Sequence, residues 1–183
     1  IKNEGSLAEI QRFLEPFIKK IEKIGLRFQL DDRLKISPGF KFNEWEMKGV
    51  PIRIEIGDRD MAGGTLFCAR RDTGEKKSYN MDSAATDLKR LLDEIQQNMY
   101  NQALEFREKN THLAKNYNEF KSIIETGGFV RCGWSGDALS ERAIKTDTKA
   151  TIRCILTDKN VAGKKCVYSG MPAKHEVIFA RAY

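Results

Sequence analysis

A chain of 183 residues with 40% hydrophobic and 32% charged residues is long enough for one large or two small globular domains and too apolar for wholesale disorder. No apolar run approaches the ~20 residues of a membrane span, and the N-terminus lacks the pattern of a signal peptide, so a cytoplasmic protein with no membrane association is expected. The net charge of +6 is uneven, with 19 basic and 19 acidic side chains in residues 1–108 but 13 and 7 in residues 109–183, an excess that suits either simple solubility or a polyanionic partner.

Ser6 with Glu9 forms a capping-box signature. Leu7, Ile10, Phe13, Leu14, Phe17, Ile18, Ile21 and Ile24 follow at helical spacing as far as Gly25, with a kink expected at Pro16. LRFQLD alternates like a strand, Ser37-Pro38-Gly39 turns the chain, and Phe40 to Lys48 fits a short helix stopped by Gly49. In VPIRIEI, Val50, Ile52, Ile54 and Ile56 share one face at period two while Arg53 and Glu55 share the other, the pattern of a half-buried strand. TLFCARR, the turn Asp72-Thr73-Gly74-Glu75 and KKSYNM read as a hairpin. A long helix from Asp82 toward Asn110 carries Leu88, Leu91, Leu92, Ile95, Met99, Ala103 and Phe106 along one stripe.

A composition shift near Lys109 places a domain boundary there. Beyond it, YNEFKSIIETGG reads as a helix, FVRCGW as a strand and DALSERAIKTDT as a helix. ATIRCIL and HEVIFARAY are two further strands, joined by the loop TDKNVAGKK. Sheets alternating with helices in this way predict an α/β fold in two domains, 1–108 and 109–183.

Motifs for catalysis are missing. Cys68, Cys132, Cys154 and Cys166 show no C-x-x-C spacing and sit in or beside apolar runs, so all four are expected to be buried small hydrophobes. No Walker loop, dinucleotide glycine pattern or His-Glu metal motif occurs, and His112 and His175 have no Cys or Ser partner in a nucleophile setting. No catalytic residue is assigned.

The charged segment KFNEWEMKGVPIRIEIGDRD is followed in order by ARRDTGEKKS, ALEFREKNTH, FVRCGWSGD, KATIRC and PAKHEVIFARAY. Together these strings resemble the last two domains of prolyl-tRNA synthetases, of the class II type shared by eukaryotes, archaea and some bacteria. The resemblance covers nearly all 183 residues. It implies a mixed-sheet anticodon-binding domain covered by helices over 1–108, with its first strand upstream of Ile1, and a small α/β C-terminal domain over 109–183. The implied function is tRNA anticodon recognition within a ligase that joins proline to its tRNA with ATP. ATP and Mg would belong to a catalytic domain outside this chain, which is expected to carry no cofactor. The implied partners are the tRNA for proline, the protein's own N-terminal catalytic domain and a second copy in a homodimer. A free-standing RNA-binding or protein-interaction module with the same fold is the rival reading.

Proline anticodons share two guanines. Guanine presents N–H donors beside the O6 acceptor, an edge that a carboxylate with an arginine or lysine satisfies. Glu44, Glu46, Lys48, Arg53, Glu55, Arg59 and Asp60 offer such groups. The resemblance assigns anticodon contacts to Glu46, Arg53, Arg59, Asp60 and a lysine of the hairpin turn, Lys76 or its neighbour Lys77. Phe42 and Trp45 could stack on bases, though core packing is the expectation for Trp45. Many relatives in this family hold a structural zinc through two cysteine pairs. Here Cys132 and Cys166 match the first member of each pair, but Asp137 and Tyr168 stand at the partner positions, so no metal site is expected. Phe106-Arg107-Glu108 looks like the family's nucleotide-binding F-R-x-E motif, but it ends an amphipathic helix and is not expected to bind ATP. In the family the last aromatic residue, here Tyr183, reaches toward the catalytic domain; a frayed end is the alternative.

Overall fold

The computed structural model describes residues 4–157 and 160–182, so the reading of Tyr183 lies outside the described residues. The chain divides into two compact units, Ile1–Gln102 and Ala103–Tyr183. The first contains α1 (Glu4–Lys23), α2 (Pro38–Met47), β1 (Ile52–Glu55), α3 (Asp58–Gly63), β2 (Thr65–Arg70), β3 (Lys76–Asn80) and most of α4 (Ala84–Lys109). The three strands form an antiparallel sheet in the order β1-β2-β3.

Period decides which face of this sheet is covered. Ile10, Leu14, Phe17 and Ile21 recur three or four residues apart on α1, as do Leu88, Leu91 and Ile95 on α4, and both stripes meet Leu66 and Cys68 of β2 in one core. Ile52, Ile54 and Ile56 pack against the same core. Alternation then turns Arg53 and Glu55 of β1 and Phe67 of β2 to the other face. The stripe on α4 outlasts its core, because Met99 and Phe106 are exposed.

Several local expectations change. Helix α1 is already formed at Glu4 and continues through Pro16, so Ser6 and Glu9 lie within it and do not head it. LRFQLD joins no sheet. Leu26 and Leu30 are tethered to the core and Asp31 is tied to α2, which yields alternation without a strand partner. Helix α2 begins at Pro38, two residues early, since Ser37 Oγ accepts from Phe40 N–H at 3.4 Å and a proline in the first turn gives up no needed donor. The short helix α3 had no signal in the periodicity. Asp60 Oδ2 accepts from the Gly57 N–H at 3.0 Å at its start, and Gly64 at φ 62° ends it.

The hairpin turn is fastened by charge. Asp72 takes two hydrogen bonds from Arg70, at 2.8 and 2.7 Å, and one from Asn98 Nδ2 of α4 at 2.7 Å, with its side chain 1% exposed. The Arg70 guanidinium, aided by Asn98 and opposed by burial, holds the Asp72 carboxyl down to about 2. A depressed carboxylate stabilises the fold above its unfolded pKa of about 3.9 and loses that contribution as pH falls toward the native value. Asp72→Ala is therefore expected to cost roughly 2–3 kcal/mol at pH 7 and almost nothing near pH 2, read by denaturant unfolding at both pH values. An equal cost at both would assign the loss to packing.

The second unit contains β4 (Thr111–Leu113), α5 (Tyr117–Thr126), β5 (Phe129–Trp134), α6 (Ala138–Thr148), β6 (Ala150–Leu156) and β7 (His175–Arg181). Its sheet has the order β4-β5-β7-β6 and is mixed, with β4 parallel to β5 and the other pairs antiparallel. Phe120 and Ile124 of α5 and Ile144 of α6 pack on Val130, Val177 and Phe179. Strand β4 is three residues long, too short for alternation to reveal. Gly133 is required where β5 passes the 160–174 loop, because a Cβ there would collide with the Lys165 carbonyl. Three cysteines are buried as expected, but Cys154 is exposed. A register shift between Ile152 and Cys154 alters which residues of β6 face the core.

Candidate nucleic-acid interface

Arg53 lies on the sheet face opposite the core, where α2 packs against it and leaves its side chain 17% exposed. Its Nη1 donates to Glu46 Oε1 at 2.6 Å, its Nε donates to Glu55 Oε1 at 3.0 Å, and its guanidinium carbon lies 4.0 Å from the centre of the Phe42 ring. Strand β1 supplies Arg53 and Glu55 two residues apart, and α2 supplies Phe42 and Glu46 one turn apart, so both elements converge on one side chain. The guanidinium is thus fixed in plane and direction before any ligand arrives. Among the described residues, Arg53 Nη2, Glu46 Oε2 and Glu55 Oε2 have no intramolecular partner. Donors and acceptors therefore stand side by side at a partly exposed site, with Glu46 the most open of the three.

The other expected residues are placed less tightly. Register sets Lys76 of β3 across from Ala69, which in turn pairs with Arg53, so the lysine starts two strands from the arginine. Lys76 is exposed and has no ion-pair partner among the described residues, whereas Lys77 Nζ lies 5.4 Å from the Tyr79 ring centre. Arg59 is exposed on α3 and likewise unpaired among the described residues, while Asp60 spends Oδ2 on the Gly57 N–H. No direct bond joins Arg59, Asp60 or Lys76 to Arg53 among the described residues.

Glu44 and Lys48 belong to a separate cluster on α2. Glu44 accepts from Lys48 Nζ and from Arg33 Nη2, each at 2.7 Å. Arg33 also grips Asp31, whose other contacts are Trp45 Nε1 at 2.9 Å and Lys41 Nζ at 3.3 Å. The Arg33 hydrogen bonds, with those of Trp45 and Lys41, hold the Asp31 carboxyl well below the usual carboxylate range against the effect of burial. Trp45 consequently lies outside the core cluster, contrary to expectation, and pins the 26–33 segment to α2. Asp31 is the residue that sequence reasoning missed; its alternation with Leu26, Phe28 and Leu30 was its one visible trait.

Among the described residues, neither catalysis nor metal binding finds a constellation. Arg107 and Glu108 are exposed near the end of α4. Cys132 and Cys166 are buried, but Asp137 is committed to capping α6 through Ser140 N–H at 2.8 Å and to the Ser135 hydroxyl, and Tyr168 stacks edge-on against Tyr117 at 5.0 Å. Burial pushes the Cys132 thiol up to about 12, while for Cys166 burial is outweighed by hydrogen bonds from Ser135 and Ser169 that bring it down to about 7, so only one of the two thiols is poised as a thiolate. Among the described residues, no group of three or more His, Cys, Asp or Glu side chains is placed to hold a metal ion. Also among them, no helix is long and apolar enough to cross a membrane.

Comparison with known proteins matches both halves of the chain. Residues 3–91 fit the model of an anticodon binding domain, and residues 117–183 fit that of the C-terminal region of prolyl-tRNA synthetase. A proline-tRNA ligase of Roseiflexus sp. strain RS-1 is 50% identical over 161 residues, covering 86% of this chain and 33% of the relative. That of Cytophaga hutchinsonii is 42% identical over all 183 residues and 37% of its own length. That of Acetoanaerobium sticklandii is 45% identical over 166 residues, 90% of this chain and 34% of the relative. The chain thus spans about a third of the length of the curated relatives it matches. With an α/β fold, two family models in series and such relatives along its whole length, the chain belongs to the prolyl-tRNA synthetase family, whose anticodon-binding and C-terminal domains it carries.

Proposed function

We propose that this chain recognises the anticodon of the tRNA for proline within a longer class II synthetase that joins proline to that tRNA with ATP. The observation that supports this reading most is the arginine fixed between two carboxylates on the sheet face opposite the core. Guanine's Watson-Crick edge carries an O6 acceptor beside N1 and N2 donors, and Arg53 can donate to O6 while Glu46 or Glu55 accepts from N1–H and N2–H. Adenine reverses the polarity at position 6 and lacks the N2 donor, so in the complex it leaves a carboxylate or the guanidinium, desolvated by the base, unpaired.

Lys76 and Arg59 supply flexible cations at the margins, and Asp60 keeps one carboxylate oxygen for a base donor. Residues 1–108 form the reading domain. Residues 109–183 form a C-terminal domain of the zinc type whose ligand set has degenerated, and its basic surface adds salt-dependent affinity for the tRNA backbone. ATP and Mg act in the N-terminal catalytic domain, with which this chain cooperates in a cytoplasmic homodimer. No step of that chemistry uses residues described here.

Glu46→Gln in the full-length protein separates reading from chemistry. Proline-dependent exchange of pyrophosphate into ATP is expected to stay within about twofold of the parent, while kcat/KM for charging falls roughly tenfold, the loss for one misfit polar contact. Equal losses in both reactions would remove Glu46 from the anticodon.

A further inference from the structure

Phe67 has no role in the reading above, yet it occupies the middle of the same sheet face. Register pairs it with Glu55 on one side and Ser78 on the other, and alternation sets Thr65 and Ala69 beside it along β2. Its strand neighbours Leu66 and Cys68 enter the core, whereas Phe67 is half-buried and is not among the hydrophobic side chains packed there. An aromatic ring on a charged face, flanked by small and polar residues, is not placed to support the core.

Of the other rings in the region, Phe40 is 60% exposed on α2 and lies off the sheet, and three are engaged by cations. Phe42 is covered by the Arg53 guanidinium at 4.0 Å, Trp45 has Lys48 Nζ 4.4 Å from its ring centre, and Tyr79 has Lys77 Nζ at 5.4 Å. Among the described residues, Phe67 makes no aromatic or cation–π contact. Its cross-strand partner Glu55 is the carboxylate that also holds Arg53. A base whose edge meets Arg53 and Glu55 therefore has its neighbour in the RNA strand close to the Phe67 ring, since adjacent strands are about 4.8 Å apart and successive bases lie at a comparable spacing.

We infer that Phe67 is the stacking platform for an unpaired anticodon-loop base next to the one read at Arg53. The inference rests on the proposed anticodon reading and assigns the sheet two modes of recognition. Arg53 with its carboxylates selects a base by its edge, and Phe67 holds a neighbouring base by its face. Stacking on a ring accepts any base, which fits a loop position free to vary between the tRNAs that decode one amino acid.

The test uses proline tRNA carrying 2-aminopurine at one anticodon-loop position at a time, leaving the two guanines intact. Binding to the protein is expected to quench the probe at one position by stacking. Phe67→Leu is expected to abolish that quenching and weaken binding roughly tenfold, while Phe67→Trp preserves the affinity and quenches the same position to a different depth. Unchanged quenching and affinity in a folded Phe67→Leu protein would overturn the inference. Should Phe67→Leu fail to fold, Phe67→Trp decides, because an indole beneath the base must change the depth of quenching, and an identical signal at every position overturns it as well. If the parent protein binds proline tRNA and a guanine-replaced tRNA equally, the anticodon reading itself fails, whatever Phe67 does.

Discussion

Arg53→Ala is expected to weaken binding of proline tRNA by about 10- to 100-fold and to leave binding of an unrelated tRNA within about twofold. On the proposed reading, removing the guanidinium deletes the donor for the base acceptor, and it releases Glu46 and Glu55 from the geometry in which each accepts one N–H from Arg53. Two carboxylates then face the base with no cation between them, which repels the electron-rich O6 edge. Stability is expected to change little. Glu46 is 51% and Glu55 28% exposed in their side chains, so water solvates them once Arg53 is gone, and pairs of this kind contribute at most about 1 kcal/mol. Arg53→Lys is expected to lose nearly as much affinity as Ala. A lysine cannot bond both glutamates in one plane and lie flat on Phe42. Equal losses on both tRNAs would instead make Arg53 a phosphate contact.

Glu176→Ala is expected to have the largest effect on stability, about 3 kcal/mol in the second unit, the low end for breaking a buried pair because Arg131 and Lys164 are 32% and 39% exposed. Glu176 is 2% exposed on the central strand β7, between Gly133 of β5 and Leu156 of β6. Its Oε2 accepts from Arg131 Nη2 at 2.8 Å, and its Oε1 accepts from Lys164 Nζ at 2.6 Å. Arg131 sits on the diagonal cross-strand position of β5, while Lys164 comes from the 160–174 loop, so one carboxylate joins the sheet to that loop. Arg131 Nε is buried without a partner. Loss of the carboxylate would leave this guanidinium without an ion-pair partner among the described residues.

The measurement is denaturant unfolding followed by Trp134 fluorescence in a Trp45→Phe background, since these are the two tryptophans of the chain. Glu176→Gln, which keeps one acceptor without the charge, is expected to lose less than Ala. The Arg131 hydrogen bond, joined by Lys164 and opposed by burial, lowers the Glu176 pKa. Its contribution is therefore complete above the unfolded value of about 4.3 and is lost as pH falls below it. A Glu176→Ala protein as stable as the parent at pH 7 would mean that the ion triad contributes nothing.

Local signals carried most of the fold. Period two in Ile52, Ile54 and Ile56 announces both β1 and the face that Arg53 must occupy, whereas Ser37-Pro38, read as a turn, is the N-cap and first residue of α2. Properties set by distant partners were illegible. Leu26 to Asp31 alternate like a strand, yet their partners are a core and a tryptophan side chain, not a ladder. The apolar stripe of α4 gives no sign that burial stops near Ile95, because spacing records a face and not what covers it. Cys154 is exposed through a register shift invisible in ATIRCIL.

The candidate site divides along the same line. Charge alternation marked Glu46, Arg53 and Glu55, and the structure joins them in one cluster with Phe42. Glu44 and Lys48 have the same appearance in sequence, but one helical turn separates them and they bond each other, with Arg33 completing a different network. Phe67 looked like any strand aromatic until its register placed it opposite Glu55.

Titration of the protein with proline tRNA and with a variant whose two anticodon guanines are replaced, at low and at moderate salt, tests base reading by this chain most directly. The account predicts a loss of at least tenfold on the variant that persists as salt rises, since hydrogen bonds to base edges are far less salt-dependent than phosphate contacts. Equal binding to both tRNAs, falling steeply with salt, would contradict it and leave a basic surface without base recognition.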